Sequence, residues 1–268
     1  MSNPSPNFEI IEHDPCGETY VWIPGRGGSA WSLHPVVRSF TGGRHILFDH
    51  LNYKELKLLR EANPGRPLIE IMSEVVMEVL ENEHRPFHLV GISMGGLMSQ
   101  FIASQWPQKI HSLHLLCTVT GGYGNAHFLT DYVKEAWSEL PGPGQDPLYH
   151  ALEPCVTEAC VDKPYFHEIM EHLRNIPVPV TGSTLMVQWT ALRDYSSLEY
   201  LRDIKLPTFV YWGAGDRVVC RKELDKLMEH LPGASLTEYP SGHLFFMEFV
   251  QQFCLDLRHN ALGNQFAC

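Results

Sequence analysis

The stretch Gly91-Ile92-Ser93-Met94-Gly95, followed by Gly96, decides how this chain is interpreted. It joins an apolar run, Phe87–Ile92, that predicts a buried strand to a segment, Gly95–Gln105, that predicts a helix. The pattern G-x-S-x-G is typical of a tight strand-to-helix turn that holds its serine in a strained conformation, and the flanking glycines keep side chains out of that turn. The first N–H groups of the helix favour an oxyanion there. Ser93 is therefore a candidate nucleophile, and the alternative is a small-residue turn without chemistry.

A serine nucleophile needs a base, and the base needs an orienting acid. Asp216 follows the predicted strand Thr208–Trp212 in a Gly-rich turn, and His243 follows the predicted strand Ser235–Tyr239 in a second Gly-containing loop. The order serine, acid, histidine along the chain is typical of such elbows. We predict Asp216 as the acid and His243 as the base. The runners-up fit this order less well, since two precede the acid's strand and one ends the last helix: Asp194, Asp203 and His259.

An oxyanion hole needs backbone N–H groups that point at the developing negative charge. One is expected from Met94, directly after the candidate nucleophile. The other is expected from Arg26 in the loop Pro24-Gly25-Arg26-Gly27-Gly28-Ser29, because glycines such as Gly25 let a backbone approach the substrate closely. An ordinary tight turn is the alternative for this loop.

Short apolar strands alternate with helical patterns along most of the chain, which predicts an α/β fold with a mostly parallel, doubly wound sheet. Residues 121–198 interrupt this alternation with helical patterns that are broken by Pro-Gly and Pro-Val-Pro segments. We predict a hydrolytic core of residues 1–120 and 199–268, with 121–198 as a helical cap inserted above the strand ends. The predicted strands and helices are Phe8–Ile11, Thr19–Ile23, His45–Phe48, Leu68–Leu80, Phe87–Ile92, Gly95–Gln105, Ser112–Val119, Thr208–Trp212, Arg221–Leu231, Ser235–Tyr239 and Phe245–Arg258.

Together, Gly25–Ser29, Gly91–Gly96, Asp216 and His243 resemble the α/β-hydrolase superfamily, in its capped branch of small esterases, enol-lactonases and C–C hydrolases. The resemblance covers nearly the whole chain and implies the α/β-hydrolase fold. The family usually opens its oxyanion loop with His-Gly, whereas this chain has Pro24-Gly25, which keeps the backbone donor but loses an imidazole. A serine at position 93 disfavours dehalogenase or epoxide hydrolase activity, because those relatives use an aspartate nucleophile.

Apolar side chains near the proposed oxyanion loop and in the predicted cap are candidates for the walls of a substrate pocket. A cap must close over something, so some of them should face a cavity, although each one alone fits the apolar core of the cap as well. The pocket candidates are Trp31, Phe128, Trp137, Met186 and Trp189.

The formal charge of −11, from 20 basic and 31 acidic residues, argues against a nucleic-acid partner and an anionic membrane surface. Residues 121–180 hold nine acidic and three basic residues, so the predicted cap carries much of this excess. Seven cysteines, no signal-peptide pattern and no apolar run near the roughly 18 residues of a membrane span predict free thiols in a cytoplasmic protein. His167 and His172 lie five positions apart, not at zinc-motif spacing, so surface histidines are expected and neither a metal nor a cofactor is predicted.

These features predict a serine hydrolase that cleaves a small or medium carboxylic ester or lactone with an apolar portion through a Ser-His-Asp triad and an acyl-enzyme. Two alternatives stay open: a C–C bond hydrolase or lyase on the same triad, and a non-catalytic ligand-binding protein with this scaffold. The expected partner is a small-molecule substrate. The sequence does not indicate which substrate is natural or which oligomeric state the protein adopts.

Overall fold

The computed structural model describes residues 6–121, 128–138 and 141–263. Within these residues, seven strands form one sheet in the order β1-β3-β2-β4-β5-β6-β7. All neighbouring strands run parallel except β1 and β3, which confirms the predicted mostly parallel α/β sheet. The strands are β1 (Phe8–Glu12), β2 (Thr19–Ile23), β3 (Arg44–Phe48), β4 (Phe87–Ile92), β5 (Ile110–Leu116), β6 (Thr208–Gly213) and β7 (Ser235–Tyr239).

Helices cover both faces of this sheet. Alternate side chains of β2 show the two layers, because Val21 and Ile23 join one apolar core while Tyr20 and Trp22 join the other. No helix in the described ranges is long and apolar enough to cross a membrane. The helices are α1 (Ala30–Ser39), α2 (Tyr53–Ala62), α3 (Leu68–Val79), α4 (Met94–Gln105), α5 (Asp131–Ala136), α6 (Pro147–Leu152), α7 (Glu158–Val161), α8 (Pro164–Arg174), α9 (Gly182–Arg193), α10 (Arg221–His230), α11 (Phe245–Glu248) and α12 (Val250–Leu262).

Two predicted elements differ from the structure by more than one residue at an end. The strand expected over Ser112–Val119 begins two residues earlier and ends at Leu116, because Cys117 adopts a positive φ of 43° that an extended strand does not allow. The helix expected over Phe245–Arg258 is two helices, α11 and α12, which meet at Phe249 with non-helical backbone angles of φ −106° and ψ 39°.

Helices α1 and α2 are absent from the predicted elements, although each begins with a capping box. Ser29 and Ser32 bond each other's backbone N–H at the start of α1, and Asn52 and Glu55 do the same at α2. Such reciprocal bonds satisfy N–H groups that have no partner inside the helix. The Asn-x-x-Glu spacing before α2 is a signal that could have revealed this helix from the sequence.

Helices α5–α9 belong to one segment inserted between β5 and β6. Its two ends meet, since Gly121 forms an isolated antiparallel bridge with Ser196, and Ser197 donates both its N–H and its hydroxyl to the Thr120 carbonyl at 2.9 and 3.0 Å. The inserted segment contacts loops at the carboxyl ends of the strands, where parallel α/β proteins place their ligands. Gln188 accepts a bond from the Gly27 N–H at 2.9 Å, and Leu244 donates its N–H to the Cys155 carbonyl at 2.9 Å.

Buried histidines lie on several strands of the sheet, away from the carboxyl ends of those strands. His45 accepts a bond from the Trp22 indole at 3.1 Å, and Ser112 links His88 to His114, with both nitrogens 2.7 Å from its hydroxyl. Burial lowers the pKa of both His45 and His88 to about 4, so these imidazoles are neutral near pH 7.

Candidate active site

Ser93 sits in the turn between β4 and α4 with φ 51° and ψ −114°, a conformation that non-glycine residues rarely adopt. The turn needs its glycines because other atoms fill the space around it. A Cβ on Gly91 would lie 2.3 Å from the Ser99 hydroxyl, and one on Gly95 would lie 2.2 Å from the Ile23 carbonyl. The Ser93 N–H donates to the Leu116 carbonyl at 2.8 Å, which ties the turn to the end of β5.

Asp216 and His243 form a hydrogen-bonded pair, with 2.8 Å between Asp216 Oδ2 and His243 Nδ1. The carboxylate is 1% exposed, and its Oδ1 accepts the N–H groups of Val218 at 2.8 Å and Val219 at 2.9 Å. Three donors around an ionised carboxylate favour the tautomer in which Nδ1 carries the proton, leaving Nε2 as an acceptor. Neither Asp194 nor Asp203 bonds His243; Asp194 instead pairs with exposed Arg193.

Ser93 and His243 line one cavity of about 190 Å³ below the inserted segment. Among the described residues no hydrogen bond joins the Ser93 hydroxyl to His243, and such bonds often tighten only when substrate is bound. The structure thus brings Ser93 and His243 to one cavity, and Asp216 bonds His243 without lining that cavity.

The loop predicted to supply an oxyanion donor lies against the nucleophile turn. A Cβ on Gly25 would be 3.2 Å from the Ser93 Cβ, so the backbone of this loop and the serine are in close contact. Within the described ranges, the N–H groups of Arg26 and Met94 have no carbonyl or side-chain acceptor. Two unpaired amides beside a serine are the arrangement that an oxyanion hole requires.

His50 holds this loop in place, and the sequence analysis did not identify it. Its Nε2 donates to the Pro24 carbonyl at 2.9 Å and the Gly25 carbonyl at 3.0 Å. Burial lowers the pKa of His50 to about 4, so it acts as a neutral donor. Its position just after β3, next to the strand that ends at Ile23, is a signal for this role, but the loop contact itself is not visible in the sequence.

Three of the five predicted pocket residues line the cavity: Phe128, Trp137 and Trp189. The other two do not. Met186 is 64% exposed on the outer face of α9. Trp31 stacks on His172 with 5.0 Å between ring centroids, donates its indole N–H to the His172 carbonyl at 3.0 Å, and lines a neighbouring cavity of about 670 Å³.

Cys117 lies beside the Asp216–His243 pair, with one potential ligand atom from each of the three within 4.8 Å of the others. This trio is a poor fit for a metal ion. Burial raises the pKa of the Cys117 thiol well above its ordinary value, which keeps it protonated, and both Asp216 oxygens already accept hydrogen bonds. No motif in the sequence singles out Cys117.

The family model for alpha/beta hydrolases matches residues 20–254. The chain belongs to the alpha/beta hydrolase family. This confirms the superfamily that the motifs around Ser93, Asp216 and His243 resemble. The described strand order and the elbow after β4 agree with it.

Several proteins of known name are similar to this chain. A 2-hydroxy-6-oxononadienedioate/2-hydroxy-6-oxononatrienedioate hydrolase of Comamonas testosteroni is 28% identical, and the match covers 92% of this chain and 89% of that protein. Monoacylglycerol lipase ABHD6 of Rattus norvegicus is 26% identical over 64% of this chain and 53% of its own length. The crystal structure of the enol-lactonase from Burkholderia xenovorans LB400 superposes with a TM-score of 0.75 at 17% identity and covers 96% of both chains, a likeness of fold.

Proposed function

We propose that this protein is a serine hydrolase that cleaves small or medium carboxylic esters or lactones with an apolar portion. The observation that carries the proposal is that His243, hydrogen-bonded to Asp216, lines the same cavity as Ser93, which occupies a strained elbow. A buried acid–imidazole pair next to a serine is the arrangement that activates a hydroxyl as a nucleophile.

In the proposed reaction the Ser93 hydroxyl attacks the substrate carbonyl while His243 Nε2 takes its proton. Asp216 keeps the imidazole in the required tautomer and stabilises the imidazolium that forms. The amides of Arg26 and Met94 bind the oxyanion, and the imidazolium returns the proton to the leaving alcohol. Water then attacks the acyl-enzyme with His243 as base, releasing the carboxylic acid and regenerating Ser93.

We propose that residues 121–198 act as a cap over this chemistry, inserted into a core of 1–120 and 199–268. The described part of the segment supports this, because Phe128, Trp137 and Trp189 close the cavity above Ser93. An apolar cover excludes water and strengthens the electrostatic interactions beneath it. A cavity of about 190 Å³ is small compared with drug-sized pockets, which supports a short acyl group.

Labelling with a fluorophosphonate probe and turnover of p-nitrophenyl esters test the proposal together. We expect the wild type to be labelled and to hydrolyse short esters, and Ser93→Ala to do neither. Ser104→Ala is the matched control, because this serine lies in α4, the helix that follows Ser93, outside the cavity, and donates to the Phe101 carbonyl. Equal labelling of Ser93→Ala, or ester turnover no faster than background, would overturn the proposal.

A second candidate, cleavage of a carbon–carbon bond on the same three residues, is favoured by one specific observation. The Comamonas testosteroni relative that covers most of the chain is a hydrolase of a 2-hydroxy-6-oxo dioate. A β-diketone added to the substrate panel separates the two reactions. Turnover of the diketone with esters at background favours the second candidate, and failure of the probe to label Ser93 favours a non-catalytic ligand-binding protein.

A further inference from the structure

The side chain of Arg26 lies inside the cavity between two tryptophans. Its Cζ is 5.3 Å from the centroid of the Trp137 ring and 5.8 Å from that of Trp189, and all three residues line the cavity. The described residues place no carboxylate in an ion pair with this guanidinium. Burial lowers the pKa of Arg26, but an arginine stays protonated near pH 7, so a positive charge faces the cavity and no described carboxylate pairs with it.

Arg217 is a second arginine that lies over an aromatic ring, and its guanidinium is held by an ion pair and hydrogen bonds within the protein. Its guanidinium also lies over an aromatic ring, with 4.4 Å from Cζ to the centroid of Tyr132. Unlike Arg26, it forms an ion pair with Glu153 at 2.6 Å and donates to the Val156 carbonyl at 2.9 Å. Among the described residues, no acid takes the place beside Arg26 that Glu153 takes beside Arg217.

One further hydrogen-bond donor of this cavity lacks an acceptor. The indole N–H of Trp137, which lines the cavity together with Arg26, is buried without an acceptor in the described part of the chain. A buried donor without a partner is costly, and an oxygen-rich anion is the ligand that would satisfy it.

We propose that the Arg26 guanidinium, supported by Trp137, binds a carboxylate of the substrate, so that the preferred substrates are half-esters of short dicarboxylic acids or the equivalent lactone acids. This inference rests on the proposed hydrolase function. Arg26 then contacts the substrate twice, through its amide at the oxyanion and its guanidinium at the carboxylate. The distance between the scissile carbonyl and the carboxylate is limited to the reach of one arginine side chain, which favours acids about as long as glutarate.

A pair of substrates of equal chain length tests this subsite: p-nitrophenyl hydrogen glutarate and p-nitrophenyl valerate. The readout is the ratio of their kcat/KM values, because damage to the oxyanion donor lowers both values and leaves the ratio intact. We expect the wild type to prefer the glutarate half-ester, and Arg26→Gln to reduce the ratio by about tenfold to a hundredfold, the effect of one hydrogen bond to a charged group. Trp137→Phe, which keeps a ring but removes the N–H, should reduce it less.

Arg193→Gln is the matched control, since it removes the same charge from an arginine that pairs with Asp194 outside the cavity. Its ratio should equal that of the wild type. Ester hydrolysis with no preference for the half-ester, or a ratio that Arg26→Gln leaves unchanged, overturns the subsite while the hydrolase function stands.

Binding of glutarate to Ser93→Ala, measured by isothermal titration calorimetry, tests the subsite without turnover. We expect binding that is lost in the Ser93→Ala/Arg26→Gln double variant and retained in Ser93→Ala/Arg193→Gln. If no ester is hydrolysed and the probe does not label Ser93, the hydrolase proposal fails, and this measurement still decides whether Arg26 binds carboxylates. Equal glutarate binding with and without the Arg26 side chain overturns the inference.

Discussion

Replacement of Asp216 by asparagine should abolish most activity without changing the shape of the site. Oδ1 of Asp216 accepts two backbone N–H groups, from Val218 and Val219, while Oδ2 faces His243. In Asp216→Asn the carboxamide oxygen must take the side of the two amides, so its NH2 group faces His243 Nδ1. That nitrogen then has to be an acceptor, which moves the proton to Nε2 and leaves Ser93 without a base.

The size of the effect follows from the alternative orientation. Turning the carboxamide so that its oxygen faces His243 leaves two buried N–H groups unpaired, at about 2 kcal/mol each. About 4 kcal/mol corresponds to a loss of about a thousandfold in kcat, before the lost stabilisation of the imidazolium is added. We expect kcat for a p-nitrophenyl ester to fall by at least this factor, with a melting temperature close to that of the wild type.

The control for this experiment is Asp194→Asn, since Asp194 pairs with Arg193 and makes no contact with His243. Its kcat should match the wild type. A folded Asp216→Asn protein that keeps activity within tenfold of the wild type would refute the assignment of Asp216 and the argument from its two amides.

Three further predictions concern stability and the cavity. Gly95→Ala should destabilise the protein by at least about 3 kcal/mol in urea unfolding, because its Cβ would lie 2.2 Å from the Ile23 carbonyl, whereas Gly182→Ala, with open space around its Cβ, should change little. The free energy of unfolding should fall by about 2 kcal/mol between pH 7 and pH 5 for each of His45 and His88. The reason is that these imidazoles bind a proton near pH 6.5 in the unfolded chain but only near pH 4 in the folded protein. Equal stability at both pH values would contradict this prediction. Trp189→Ala should raise KM for short esters by about tenfold or more, while Met186→Ala stays within about twofold; the reverse order would contradict the placement of these side chains.

The grouping of the three predicted triad residues could be predicted from the sequence because each of them lies at or shortly after the carboxyl end of a strand. In a parallel sheet the carboxyl ends of the strands lie at one edge, so the positions of Ser93, Asp216 and His243 after β4, β6 and β7 contained the spatial information. The role of His50 could not be predicted in this way, because it depends on hydrogen bonds from one loop to another, to the carbonyls of Pro24 and Gly25.

The pocket residues were predicted less well because the composition of α9 does not indicate which side of the helix faces the cavity. Gln188 and Leu192 are buried and Trp189 lines the cavity, whereas Met186, one turn before Trp189, is 64% exposed. Apolar residues on both faces of a short helix do not indicate which face meets the core. Trp31 was misplaced for a different reason, since its partner His172 lies 141 positions away along the chain.

The joined ends of the inserted segment have a consequence for how such proteins diversify. Gly121 bridges Ser196, and Ser197 bonds the Thr120 carbonyl, so the chain leaves and re-enters the sheet at almost one point. The entropy of closing a loop grows only slowly with its length, so sequences of different lengths could be exchanged between these two anchors at small cost to the fold. If a foreign segment were transplanted between Thr120 and Ser197, the three proposed reacting groups would keep their places in the sheet, while the new segment would form the walls of the substrate cavity and set its selectivity.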